Sequence, residues 1–352
     1  MRPEERAWLG DDFVKWRESL RNGYFRALMY HALMEAGVLD ELAKAQEPKT
    51  VQELADQCQV NAGILRQALT YLSLADSTME KVGDAFALGP DGEWLLAPGF
   101  RGLLKIWVGA YGSSLNALLP ALRNEQVYGR DYERDGGATA EGTWFSASHQ
   151  DAEPTARRML ELGARNVAEL ACGTAPQLRV LCKLDSAVTG VCMDYSEDAL
   201  AAARRFAEEE GSAGRMSFHV GDLMRPEEFL TSSSFRDVDA FVLQGALHEL
   251  LRDGEDEVLR ILRTFKEHAP GKLFVIGELR HCSDDDYRAR PIFERTRRLA
   301  VDHIMHGPLT AQGQPLSIEG WCSLFERAGF QLLEITKSDW DSSIRDIYFL
   351  RI

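Results

Sequence analysis

Paired cysteines, long apolar runs and an excess of positive charge are all missing from this chain of 352 residues. The six cysteines (Cys58, Cys172, Cys182, Cys192, Cys282 and Cys322) form no C-x-x-C pair and mostly lie in apolar or mixed runs. They read as reduced thiols of a cytoplasmic protein rather than a disulfide framework. No stretch approaches the roughly 18 apolar residues that span a bilayer, and the opening MRPEERAWLG is charged, which disfavours secretion and membrane insertion alike. Forty Lys plus Arg against 55 Asp plus Glu leave a net charge of -15, so no nucleic-acid or membrane partner is expected. Internal repeats and low-complexity segments are absent too. What remains is 45% hydrophobic and 27% charged, enough apolar surface for one large core and one smaller one.

From Gly23 to about Leu96 the apolar residues recur at three and four: Phe25, Leu28, Met29, Leu33, Val38 and Leu42, then Val51, Leu54, Ala55, Val60, Leu65, Leu69 and Leu72. This spacing predicts helices. Thr50 with Glu53 three residues on reads as a capping box, and Asn61 opens AGILRQALTYL, making a helix-turn-helix. The following STMEKVGDAFALGPDGEWLL has the turns and short apolar pieces of a hairpin wing. A winged helix raises DNA binding, but residues 1–100 carry 10 Lys plus Arg against 16 Asp plus Glu, and the second helix offers only Arg66. The apolar face of RNGYFRALMYHALMEAGVLDEL is better explained by a second copy of the chain, so a homodimer is expected.

Three segments follow: a winged-helix-like dimerisation domain over residues 1–100, a helical connector or lid over 101–165, and an α/β domain over 166–352. The connector includes a mobile, glycine-rich stretch at 136–142 before Trp144 and Phe145. Beyond it, short apolar runs alternate with helical ones, the order of a Rossmann-like, seven-stranded, doubly wound parallel sheet. Strands are expected at Asn166–Ala171, Val188–Met193, Met216–Val220, Ala240–Leu243, Leu273–Gly277, Leu332–Ile335 and Ile347–Leu350.

The first of these runs into the small-residue turn Glu169-Leu170-Ala171-Cys172-Gly173-Thr174-Ala175, where backbone N–H groups at a helix start can approach a ligand closely. Asp194, 25 residues beyond Glu169, ends the second strand, where an acid can accept from ribose hydroxyls. Asp222 and Leu223 follow the third strand, with the carboxylate placed for an adenine amine. In this order the constellation resembles the class I S-adenosylmethionine-dependent methyltransferases, and the helical N-terminal part resembles their winged-helix, small-molecule branch. The resemblance implies that S-adenosylmethionine is held by Glu169, Ala171, Gly173, Asp194, Asp222 and Leu223, with Glu169 meeting the methionine amine. Ala171 and Ala175 stand where that family usually has glycine. A nicotinamide dehydrogenase is the rival, but its G-x-G-x-x-G is absent.

What is methylated turns on DAFVLQGALHELLRDGEDEVLRILRTFKEHAPGKLFVIGELR. In the O-methyltransferases of this branch a histidine after the fourth strand is the general base, matched by His248, and acids hold it, one matched by Glu278. The second acid belongs to a Gly-Gly-x-Glu-Arg turn that is missing here; its place falls on Pro315. The residues also resemble the metal-dependent methyltransferases that alkylate the β-carbon of 2-oxo acids. Carried over residue by residue, that resemblance implies Fe or Zn bound by His248, His303 and Gln244, with His306 as rival second ligand. Such a metal would stabilise an enolate as the β-proton leaves, the base being a water, a tyrosine of the 128–132 stretch, or His306. The expected function is therefore C-methylation of an amino-acid-derived 2-oxo acid; the alternative is metal-free O-methylation of a phenolic or hydroxylated metabolite with His248 as base. Glu249, Asp253 and Asp284 to Asp286 would suit a cationic tail such as the guanidinium of the 2-oxo acid of arginine, and Arg130, Arg157 or Arg158 could take a carboxylate.

Overall fold

A computed structural model describes residues 11–145, 149–281, 285, 288, 307, 310, 312–337 and 345–352. The chain divides into two compact units, Met1–Gly109 and Ala110–Ile352, so the stretch read as a connector falls on both sides of the division.

In the first unit the predicted helical periodicity becomes α1 (Asp11–Glu35) and α2 (Val38–Lys44), separated at Gly37, whose φ of 75° ends one helix before the next begins. A two-residue strand, β1 (Lys49–Thr50), leads into α3 (Val51–Cys58). Thr50 and Glu53 do form the reciprocal capping box, and Asn61 accepts from Ile64 N at 3.0 Å to start α4 (Ala62–Ala75). The wing is the hairpin β2 (Met79–Val82) and β3 (Ala85–Leu88), joined by β1 into an antiparallel sheet of order β1-β3-β2. Val38, Leu39, Val51, Leu54, Leu69, Leu72 and Phe86 are fully buried at its centre. Trp16, Leu20 and Tyr24 of α1 are exposed.

In the second unit, α5 (Gly136–Thr143) and α6 (His149–Glu161) precede the sheet. The glycine-rich stretch expected to be mobile is thus a helix. Asp135 caps it by accepting from Ala138 N at 2.7 Å, and Gly136 lies so close to the next layer that an added Cβ would fall 2.4 Å from Ser196 Oγ. The missing side chains permit close packing here rather than disorder.

The strands are β4 (Asn166–Leu170), β5 (Thr189–Asp194), β6 (Met216–Val220), β7 (Ala240–Gln244), β8 (Leu273–Leu279), β9 (Gln331–Lys337) and β10 (Arg345–Arg351). They lie in the order β6-β5-β4-β7-β8-β10-β9. All seven expected strands are present, and the doubly wound Rossmann-like class holds. The fully parallel sheet does not: β10 pairs antiparallel with both β8 and β9. A strand that follows β9 directly can enter the sheet as the return arm of a hairpin, whereas a parallel entry needs a crossover of a dozen or more residues. Helices α7 (Pro176–Leu184), α8 (Glu197–Glu209), the short α9 (Leu247–Leu250), α10 (Glu255–His268) and α11 (Ile318–Arg327) follow β4, β5, β7, α9 and β8. Each strand end facing these turns opens on one edge of the sheet. The order in which strands are added reverses between the parallel neighbours β4 and β7, the switch point where ligands of such folds sit.

Candidate active site

The turn after β4 is built on left-handed backbone. Ala171, Gly173 and Ala175 have φ values of 45°, 54° and 53°. Two L-residues, Ala171 and Ala175, thus carry the conformational cost that the family's usual glycine would avoid. Two tethers hold them there: Cys172 N donates to Met193 O at 2.9 Å, and Ala175 N donates to Cys172 O at 2.7 Å.

Glu169, fully buried, accepts from Gln177 N at 3.1 Å and Leu178 N at 2.7 Å with its two oxygens, so it caps the start of α7. Burial pushes its carboxyl up to about 7 against these hydrogen bonds. Asp194 at the tip of β5 accepts from Gly173 N at 2.9 Å and Ser196 N at 3.0 Å, tying the two turns together. Asp222 is exposed and accepts from Met224 N at 2.9 Å, while Leu223 is buried in the core. The carboxyl ends of β4, β5 and β6 thus bring Gly173, Asp194 and Asp222 to one edge of the sheet.

On the other side of the switch point, β7 ends at Gln244, and Gly245 (φ 68°) turns the chain into α9. This turn buries His248 at 4% exposure against Glu278, itself fully buried on β8. His248 Nδ1 lies 2.8 Å from Glu278 Oε2; Leu247 N and His248 N donate to Oε1 at 2.5 and 3.3 Å, and Leu279 N donates to Oε2 at 3.1 Å. Burial depresses the imidazole, but the Glu278 charge and hydrogen bond outweigh it and leave the ring above its ordinary value. Burial raises the carboxyl of Glu278, and the His248 charge together with the backbone donors brings it below its ordinary value. With Nδ1 facing a carboxylate, the proton belongs on that nitrogen and Nε2 is the basic one.

The other expected ligands are placed differently. Gln244 Nε2 donates to Gln177 Oε1 at 2.9 Å, and its Oε1 accepts from Arg345 Nη1 at 3.5 Å, so the oxygen a metal would need faces a guanidinium. His303 and His306 lie outside the described residues, as do Asp284 and Asp286. Among the described residues there is no cluster of three or more His, Cys, Asp or Glu side chains that could hold a metal. Glu249, read as a receptor for a cationic tail, is already paired. Arg134 Nη2 donates to both of its oxygens at 2.9 and 2.8 Å. Asp253 pairs with Arg252 at 3.2 Å, and Arg130, Arg157 and Arg158 pair with Asp131, Glu153 and Glu334. Burial pushes Tyr128 up to about 12, which keeps its hydroxyl protonated and unsuited to act as base.

Sequence reasoning missed Arg134, Gln177, Gln312 and Arg345, none of which belongs to a recognisable motif. It also missed Arg179, buried at 1% exposure between Trp144 and Phe206, with its guanidinium carbon 4.6 and 4.9 Å from the two ring centroids. Its Nε donates to Thr174 O at 2.9 Å, and Nη1 pairs with Glu210, so it pins the β4 turn from behind.

No protein-family model matches the sequence, and no curated protein matches it either. Solved structures do. Mitomycin 7-O-methyltransferase is 18% identical with a TM-score of 0.67 over 99% of both chains. A putative O-methyltransferase from Nostoc punctiforme is 17% identical with a TM-score of 0.64, covering 96% of this chain and 99% of its own. Human N-acetylserotonin methyltransferase, in complex with S-adenosylmethionine, is 18% identical with a TM-score of 0.65, covering 97% and 98%. This chain therefore has, along nearly its whole length, the fold of these methyltransferases.

Proposed function

We propose that the protein is an S-adenosylmethionine-dependent O-methyltransferase of a phenolic or hydroxylated small molecule. The observation that carries this reading is the His248–Glu278 pair at 2.8 Å, buried beside the sheet's switch point. The cofactor, when bound, supplies an electrophilic methyl group. The β4 turn from Ala171 to Ala175, Asp194, Asp222 and Leu223 would hold it. His248 Nε2 takes the proton of the acceptor hydroxyl, and Glu278, locked by three backbone N–H groups, fixes the ring and stabilises the imidazolium that results. The N-acetylserotonin and mitomycin enzymes named above support the class of acceptor.

Iron- or zinc-assisted methylation of the β-carbon of a 2-oxo acid, including that of arginine, has less support. The oxygen of Gln244 faces Arg345, and Glu249 already holds Arg134. We also propose that a second copy of the chain covers the exposed α1 residues Trp16, Leu20 and Tyr24.

The test is transfer of a labelled methyl group to a panel of phenols. His248→Gln is expected to lose about 10²–10⁴ in rate while still binding S-adenosylhomocysteine. Stoichiometric iron or zinc that disappears in His248→Ala, together with turnover of a 2-oxo acid, would overturn this reading in favour of C-methylation.

A further inference from the structure

Next to the proposed base lies a ring of four polar side chains, with the Tyr195 hydroxyl as a further partner of Arg134. Arg134 pairs with Glu249, the residue after His248, and its Nη1 donates to Tyr111 Oη at 3.1 Å. Gln312 Nε2 completes the ring, at 3.2 Å from Glu249 Oε1 and 3.4 Å from Tyr111 Oη. The side chain of Arg134 is 10% exposed and Gln312 is 8% exposed.

Two atoms of the ring are left over. Arg134 Nε and Gln312 Oε1 are buried without a hydrogen-bond partner. A buried donor and a buried acceptor without partners are costly enough that most native structures avoid them, and those that persist call for a functional account. The segment bearing Gln312 is also seated with little tolerance. A Cβ on Gly313 would fall 2.6 Å from His248 O and 2.6 Å from Arg252 N, so only glycine lets Gln312 reach the turn that carries the base. Glu249 directly follows His248 on α9, so the Arg134–Glu249 pair is anchored on the turn that carries the base.

We propose that Arg134 and Gln312 are the specificity-determining residues for the acceptor: they take a neutral ligand that carries a hydrogen-bond acceptor and a donor beside its reacting hydroxyl, as in a 2-hydroxybenzamide. The Nε–H of Arg134 meets the carbonyl, and the amide oxygen of Gln312 meets the N–H. Glu249 cancels the charge of Arg134, so the ring has no net charge to attract an ion, and a cationic tail would have to expel Arg134 first. The assignment rests on the methyltransferase reading above.

The experiment is calorimetric binding of salicylamide and of phenol to the full chain saturated with S-adenosylhomocysteine. Wild type is expected to prefer salicylamide by about tenfold or more, the value of one or two added hydrogen bonds. Arg134→Lys retains a charge for Glu249 but lacks the Nε–H, and Gln312→Leu lacks the amide. Each should reduce the preference to within about threefold while the affinity for S-adenosylhomocysteine stays unchanged. A wild-type preference below threefold, or one that survives both substitutions, overturns the assignment and leaves the methyltransferase reading standing. Failure of wild type to bind S-adenosylhomocysteine overturns that reading and the assignment with it.

Discussion

Replacing Ala171 by glycine should stabilise the second unit, although it deletes a methyl group. The φ of 45° at this position costs an L-residue about 1–2 kcal/mol, which glycine does not incur. Glycine returns about 0.4–1 kcal/mol of that through the greater freedom of its unfolded chain. Ala171 is only partly buried, so the lost methyl adds a fraction of the roughly 0.8 kcal/mol of a fully buried group, and the net gain is about 0.5 kcal/mol. Ala175 has the same backbone at φ 53° but is completely buried, so its replacement by glycine should come out near zero. Gly173→Ala is the converse. A Cβ there meets Ala140 Cβ at 3.5 Å, an ordinary contact, so only the backbone term of about 0.5–1 kcal/mol opposes it. Urea midpoints at constant m-value would give the three differences directly. If Ala171→Gly destabilises the protein by as much as Gly173→Ala, left-handed strain is not what distinguishes these positions.

Further expectations follow from the burial of charge. His248 sits above its ordinary pKa, so its contribution to stability is complete below about 6.5 and is lost as pH rises through the folded value; Glu278 sits below its own, so its contribution is complete above about 4.5 and is lost as pH falls. The urea midpoint difference between wild type and Glu278→Gln should therefore be largest between those pH values, and equal differences at pH 5.5 and 9 would count against a charged pair. Because the base must be neutral, methyl transfer should rise with pH through a pKa above 6.5, to be checked in a pH–rate profile. Arg179→Met should cost about 2–3 kcal/mol in chemical denaturation, since Thr174 O loses its donor while Glu210, partly exposed, can turn to water. Gly136→Ala should cost about 1 kcal/mol by displacing Ser196 Oγ from its cap on Ala199 N, an effect that Ser196→Ala should duplicate rather than add to.

Apolar periodicity located the strands of the large sheet because β4, β5, β7, β8 and β10 are buried on one or both faces and read as short apolar runs, whereas β6 and β9 carry apolar residues that stay partly or wholly exposed. The direction of β10 was not legible, since a buried strand has the same composition whichever way it runs. Thr50–Glu53 and Asn61 were legible because capping is local chemistry. The helix at 136–143 was not, because its stability comes from contact with Ser196 and Asp198 rather than from its own composition. At the site, His248, Glu278 and Asp194 could be placed by counting from strand ends. The partners that decide their chemistry could not: Arg134 is 115 residues from Glu249, and Arg345 is 101 from Gln244. Acids read as available to a substrate turned out to be satisfied by arginines that no motif marks.

The placement of β10 also bears on how the chain is made. Residues 345–351 form an interior strand, and among the described residues β9 is joined to the rest of the sheet only through them. During synthesis, β4 to β8 emerge first and can pair, but β8, apolar except for Glu278, then offers a bare edge until the last segment of the sheet leaves the ribosome. Over that interval β9 has no partner, and the stretch Leu273–Leu279 is the natural point of capture for a chaperone or for another nascent copy. Slowing translation between β9 and β10 should therefore lower the soluble yield more than an equal delay placed between the two units.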